Sequence, residues 1–167
     1  MAEKDNVAEG ESLTYEGSFK LKEFVAEVKR SIENRGYGWI EKAHTEILNP
    51  DGKVIEIKWE SSKSVSDYAK KKIDIKLKLE NVKDKVIEKA GQKIKCVTGK
   101  VTVGFDASLL TDYEVRWKEN KPAFYLIRSF FEKYVYSPYG KKIKDEVRSD
   151  VDGLKEDLSA FLNLYKY

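Results

Sequence analysis

Histidine and cysteine are almost missing from this 167-residue chain, which carries one of each, His44 and Cys96. A single cysteine excludes an intramolecular disulfide and fits a reducing compartment, so a cytoplasmic location is expected. The two residues stand about fifty positions apart, too sparse for the usual zinc ligand sets, and neither a metal nor another cofactor is expected. His44 reads as a solvent-facing residue on the same strand face as Lys42 and Glu46. Cys96 shares strand parity with Ile94 and reads as a small buried hydrophobe rather than a reactive thiol, which would want a nearby base. Glycine-rich phosphate loops, a nucleophile elbow and a His-Glu-x-x-His stretch are all absent, so no catalytic residue is assigned and binding is expected in place of catalysis.

Long apolar runs are missing as well. No stretch approaches the roughly 18 residues that cross a bilayer, and residues 1–11 are polar and acidic where a leader would be basic and then apolar. Neither membrane insertion nor export is expected. A one-sided charge is also lacking: 32 basic residues stand against 29 acidic ones, a net charge of +3 that does not demand a polyanionic partner. Proline occurs only three times and Met1 is the only methionine, which with the abundant lysine and glutamate suits a heat-tolerant source.

What is present is a pattern. Residues 1–11 show no periodicity and read as a disordered acidic tail, and residues 12–167 as a single domain of ordinary size. Leu13, Tyr15, Gly17 and Phe19 alternate with polar residues as a short strand, and Leu21, Phe24, Val25, Val28 and Ile32 then share one helical face over about 21–35, ending at Gly36 in a left-handed cap. Asn49-Pro50-Asp51-Gly52 is a turn joining strands at about 39–48 and 54–59. The next strand has Ile73, Ile75, Leu77 and Leu79 on one face and Lys72, Asp74, Lys76, Lys78 and Glu80 on the other.

Residues 81–91 fit either a short helix capped by Asn81 or a continuation of the strands into a long hairpin, with the hairpin slightly favoured. In the strand at about 93–105 the apolar parity changes across Gly99, the sign of a β-bulge. A turn near 106–111 leads to a last strand with Tyr113, Val115 and Trp117. Asn120-Lys121-Pro122 opens a helix over 123–136, and Ser137-Pro138-Tyr139-Gly140 ends it. A long helix then starts near Lys141, where Ile143, Val147, Val151, Leu154, Leu158, Phe161 and Tyr165 form one apolar stripe. Gly153 inside it is a candidate kink.

The order is α+β: a curved antiparallel meander of about six strands, one helix after the first strand, and two C-terminal helices on one face. At the level of topology it resembles a helix-grip arrangement, in which a curved sheet wraps a long terminal helix. Helix-grip proteins have two short helices after strand one where this chain has a single long one, and no motif assigns a family.

Three kinds of site are compatible with this pattern. Trp59, Tyr113, Trp117, Phe130, Tyr134 and Phe161 fall on inward faces, where they either fill a core or line an apolar pocket between sheet and terminal helix, with Trp59 and Trp117 at its mouth. Lys70, Lys72, Lys76 and Lys78, with Lys93, Lys95 and Lys100 on the next strand, form a face that either is simply solvated or tracks a phosphate backbone, interrupted by Asp74, Glu80 and Glu88. Asp106 and Asp112 flank the last turn, as capping residues or as a carboxylate pair. The leading expectation is a non-enzymatic domain that binds an apolar small molecule. The alternatives are a protein-interaction or self-associating module, from the apolar helix 123–136 and the tail 164–167, and a nucleic-acid module.

Overall fold

The structure, a computed structural model, describes residues 3–66, 69–111, 133 and 137–164. Five strands, β1 (Glu3–Phe19), β2 (Gly38–Asn49), β3 (Gly52–Ser64), β4 (Ala69–Lys89) and β5 (Gln92–Thr111), form one open antiparallel sheet in the order β1-β5-β4-β3-β2. Helix α1 (Leu21–Asn34) links β1 at one edge to β2 at the other, and helix α2 (Pro138–Asn163) is the longer of these two described helices. The α+β class and the antiparallel sheet are therefore as the alternation of residues implies. The expected sixth strand, with Tyr113 and Trp117, and the helix over 123–136 lie outside the described residues, apart from Lys133.

Residues 3–11 are not a tail: they are the first half of β1, paired from Glu3 opposite Thr111 to Glu11 opposite Phe105. Their period is hidden because the ladder shifts register twice, between Asn6 and Ala8 and between Ala8 and Glu11. Each bulge turns the following side chains to the other face, so no alternation survives in the sequence. Gly10, at φ +65°, takes up the second shift, and its N–H donates to Asp106 Oδ1 at 2.9 Å. Asp106 is thus a mid-strand residue of β5 that pins a bulge, and the turn expected at 106–111 is not there. With β1 on one side and β4 on the other, both edges of β5 are occupied.

The β2–β3 turn, the capped end of α1 and the long β4–β5 hairpin follow the sequence reading. At the end of α1 the Gly36 N–H donates to Glu33 O (2.9 Å) and the Tyr37 N–H to Ile32 O (3.3 Å), with Gly36 at φ +80°, a Schellman close in which Tyr37 and Ile32 both enter the core. The β4–β5 hairpin closes through Ala90 and Gly91, both at positive φ, with Lys89 opposite Gln92. The bulge anticipated at Gly99 is real, but its extra residue belongs to the partner strand: Glu80 pairs with Lys100 and Lys83 with Thr98, so Asn81 and Val82 together face Gly99. Room for that bulge is left by glycines, because a Cβ at Gly99 would meet Glu80 O at 2.8 Å and one at Gly52 the Asn81 carbonyl carbon at 2.8 Å.

One core joins the sheet and both helices. Ile55, Ile57 and Trp59 of β3, Ile73 through Leu79 of β4 and Val101 through Leu109 of β5 contribute their odd-numbered residues, met by Phe24, Val28 and Ile32 of α1 and by Ile143, Val147, Val151, Leu154, Leu158 and Leu162 of α2. These alternating and three-four spacings are the two periods a sheet face and a helix stripe must show. Helix α2 starts earlier than Lys141: Ser137 is its N-cap, accepting from the Gly140 N–H at 3.2 Å, with Pro138 in the first turn. The Ser-Pro pair begins this helix, and whether it also ends the helix expected over 123–136 lies outside the described residues.

The rotation of α2 is fixed by charge on either side of its apolar stripe. One flank is basic: Lys144 pairs with Asp5, Arg148 Nε donates to Val7 O (3.2 Å), and Lys155 pairs with Glu11 at 2.8 Å, all on β1. The opposite flank is acidic: Glu146 receives Lys71 of β4 (2.7 Å), Asp150 accepts from the Tyr37 hydroxyl (2.7 Å), and Asp157 accepts from Ser31 Oγ (2.5 Å) and Arg35 Nη1 (2.7 Å). Rotating the helix either way would bring like charges together, so the pattern selects one docking angle.

Candidate functional site

The helix-covered face of the sheet contains a buried polar atom, Trp59 Nε1, that no described residue satisfies. Trp59 sits in the middle of β3, opposite Glu41 of β2 and Ile75 of β4, and its side chain is 1% exposed. Its indole Nε1–H is buried and has no hydrogen-bond partner among the described residues. A buried donor without an acceptor costs about 1–3 kcal/mol, and nearly all such groups in folded proteins find one. Every other named polar group in this layer is provided for: buried Ser61 Oγ donates to Ile73 O at 2.8 Å and Lys71 reaches Glu146. Trp59 is therefore no mouth residue near a strand end, as its sequence position had implied, but an interior one.

Phe161, the other described residue of the aromatic set, does a different job. It lies half-buried against Phe24 with ring centroids 5.9 Å apart, in a chain in which Phe24 packs edge-on to Phe19 (5.9 Å) and Phe19 to Tyr15 (6.3 Å). That chain ties the end of α2 to the start of α1 and the end of β1, so Phe161 closes the core at one end. Tyr113, Trp117, Phe130 and Tyr134 lie outside the described residues. Trp59 and Phe161 are not in ring contact with each other.

Along the acidic flank of α2, partners and burial shift the carboxyl groups down and the facing phenol up. The Ser31 hydroxyl and the Arg35 guanidinium hold Asp157 below the ordinary aspartate range, and Lys71 does the same for Glu146. Burial, together with the hydrogen bond it donates to Asp150, pushes the Tyr37 hydroxyl up. Each is held in its ordinary charge state at neutral pH, which makes this row a latch rather than a proton-transfer site. Beside its first turn Pro138, Lys141, Lys142, Asp145, Glu146 and Ser149 line a groove of about 410 Å³.

The lysine face is where the alternation puts it: Lys70, Lys72, Lys76 and Lys78 all point away from the core. It is not a continuous basic surface. Lys72 lies 3.2 Å from Glu60 and 3.4 Å from Asp74, and Lys78 lies 3.2 Å from Glu80. Burial of Lys72 is outweighed by these carboxylates, which raise its pKa, while Glu60 is lowered in return. Asp106 stands opposite Asp74 on the same face, and Asp112 lies outside the described residues. His44 is exposed, its Nδ1 3.5 Å from Glu41, and Cys96 is a buried free thiol outside the main core.

No group of three or more histidine, cysteine, aspartate or glutamate side chains able to hold a metal ion occurs among the described residues, and none of their helices is long and apolar enough to cross a membrane. No family model matches the chain, and no curated protein or solved structure matches it either.

Proposed function

We propose that this protein is a non-enzymatic binding domain that holds an apolar small molecule carrying one hydrogen-bond acceptor against the helix-covered face of its sheet, in a helix-grip-like arrangement. The observation that carries this reading is the Nε1–H of Trp59, unsatisfied among the described residues, in a layer whose other polar groups, Ser61 and Lys71, are paired. Small-molecule sites combine an apolar lining with a few placed polar groups, and a lone donor among Ile57, Ile75, Leu77 and Phe105 is that combination in its simplest form. A carbonyl, carboxylate or hydroxyl oxygen on the ligand supplies the acceptor that the described residues do not.

The test is native mass spectrometry and tryptophan emission with a panel of matched ligands, each a hydrocarbon and its ketone or carboxylate. Acceptor-bearing members bind more tightly than their hydrocarbon partners, and Trp59→Phe removes that preference, a loss of roughly tenfold or less for one neutral hydrogen bond. Failure of the whole panel to bind, or a preference that persists in Trp59→Phe, overturns the reading.

A further inference from the structure

Past the body of the sheet, β4 and β5 run on as a pair. Among the described residues β3 leaves β4 at Val82, paired with Lys53, and β1 leaves β5 at Val97, paired with Phe19, whereas β4 and β5 stay joined as far as Lys89 opposite Gln92. From Lys83 to the turn this two-stranded ribbon is about 20 Å long at roughly 3.3 Å per residue. Between residues 83 and 98 it carries five lysines, Lys83, Lys85, Lys89, Lys93 and Lys95, against two acids, Asp84 and Glu88, and no aromatic residue.

The bulge at the root of the ribbon sorts these charges by face. Before it the even-numbered residues of β4 point away from the helices, with Glu80 opposite Lys100. Asn81 and Val82 together face Gly99, so the parity of β4 changes while that of β5 does not. Lys83, Lys85, Ile87 and Lys89, opposite Thr98, Cys96, Ile94 and Gln92, therefore continue the face away from the helices. Asp84, Val86 and Glu88, opposite Val97, Lys95 and Lys93, turn to the helix side. On the helix side two lysines thus balance two acids, and on the other face three lysines stand with no acid among them. Those three are exposed and make no ion pair among the described residues, unlike Lys72 and Lys78 in the body of the sheet, which Glu60, Asp74 and Glu80 hold. Lysines that only shield a free edge need no such sorting.

We infer that this ribbon is a docking arm for duplex DNA, with its acid-free face toward the major groove and Lys83, Lys85 and Lys89 on phosphates. Shape and charge select that partner. Two strands about 4.8 Å apart fit the roughly 12 Å major groove of B-form DNA, whereas the major groove of an RNA duplex is too deep and narrow for side chains to read. A single strand would want aromatic rings to stack on, and the ribbon has none. The acid-free face carries no arginine, and Gln92 is its one amide side chain, so the docking is set by phosphates and is largely indifferent to base sequence. The ligand proposal does not bear on this inference, because beyond Val82 the ribbon adds only Val97 to the margin of the core.

Fluorescence anisotropy of a short labelled duplex of mixed sequence, titrated with the full chain, tests it. Binding is expected at low salt and weakens about fortyfold between roughly 50 and 200 mM salt, the slope for three phosphate contacts. Lys83→Gln, Lys85→Gln and Lys89→Gln each reduce that slope by about 1, and the triple variant no longer binds. Lys72→Gln with Lys78→Gln removes as much charge per site from the body of the sheet and leaves the affinity unchanged, as does Trp59→Phe, which separates this result from the ligand reading. Circular dichroism confirms that the variants fold. Absence of duplex binding at low salt, a triple variant that binds like the parent, or tighter binding to single-stranded DNA or to phosphatidylserine vesicles than to the duplex, overturns the inference.

Discussion

Gly153 of α2 lies beneath the guanidinium of Arg35, close enough that a Cβ on residue 153 would stand 2.3 Å from Arg35 Nη2 and 3.1 Å from its Cζ. The guanidinium is held there by Ser31 O, Ser31 Oγ and Asp157, so it cannot swing aside without giving up those bonds. A glycine inside a helix costs about 1 kcal/mol relative to alanine, and here the absence of a side chain is what lets α1 and α2 share one arginine. The glycine that looks like a kink in the sequence is an arginine seat.

Two opposing effects therefore meet at this position, and a double-mutant cycle separates them. Gly153→Ala alone lowers stability by about 1 kcal/mol, because displacing the charged hydrogen bonds of Arg35 outweighs the gain in helix propensity. In an Arg35→Ala background the same change raises stability by about 1 kcal/mol, since only the propensity gain remains. Urea unfolding of the four proteins reads the sign, and a stabilising Gly153→Ala in the parent chain refutes the account.

The acidic flank of α2 sets a direction for the response to pH. Lys71 holds Glu146 below its ordinary value of 4.5, and Ser31 and Arg35 hold Asp157 below 3.8. Carboxylates lowered on folding bind fewer protons in the folded than in the unfolded chain, so their contribution is complete above those ordinary values and is lost as pH falls through the lower folded ones. Both side chains are partly exposed, so the effect is modest. A Glu146→Gln, Asp157→Asn double variant should show a shallower fall in urea midpoint than the parent between about pH 5 and pH 2, and parallel curves would exclude the latch.

The chain of rings from Tyr15 to Phe161 predicts a graded response. Phe24 is fully buried between Phe19 and Phe161, so Phe24→Ala leaves a cavity and costs about 3–5 kcal/mol. Phe161 is only half-buried, and Phe161→Ala costs about 1–2 kcal/mol. Thermal and urea unfolding give both values, and equal losses would mean that α2 is held by its aromatic end instead of by its stripe.

Much of this fold could be read from side-chain period alone, and the places where it could not share a cause. β4 alternates without interruption from Lys72 to Glu80, and the stripe of α2 is legible from Ile143 to Leu158, whereas beyond it Leu162 enters the core in place of Phe161. The first half of β1 was not, because two bulges within residues 6–11 reset its parity, and its pairing partner lies about a hundred residues away in β5. Trp59 was placed on the correct face from its alternation with Ile55 and Ile57, but the lack of an acceptor for its indole depends on every neighbour in space and leaves no mark on the sequence. The charge row of α2 was present as Lys144, Arg148 and Lys155 against Glu146, Asp150 and Asp157. Its meaning needed Asp5, Glu11, Arg35 and Tyr37 brought alongside.

The β4–β5 hairpin carries the last prediction, in which two single substitutions move stability in opposite directions. Ala90 occupies the left-handed region at φ +53° in the two-residue turn, where an alanine costs about 1–2 kcal/mol and asparagine is well tolerated. Ala90→Asn should therefore raise stability by about 1 kcal/mol. Gly99, nine residues from that turn, faces the Asn81-Val82 bulge, and a Cβ there would press on Glu80 O at 2.8 Å and Val82 Cα at 3.3 Å. Those are backbone atoms fixed on both sides by the sheet, so Gly99→Ala cannot be absorbed by a side-chain rotation and should cost roughly 1–3 kcal/mol. Hydrogen exchange locates the effect: Ala90→Asn slows exchange at the hairpin tip, and Gly99→Ala speeds it between residues 80 and 100. If Gly99→Ala leaves protection there unchanged, the bulge yields to a methyl group, and Gly99 is not the residue that holds it in place.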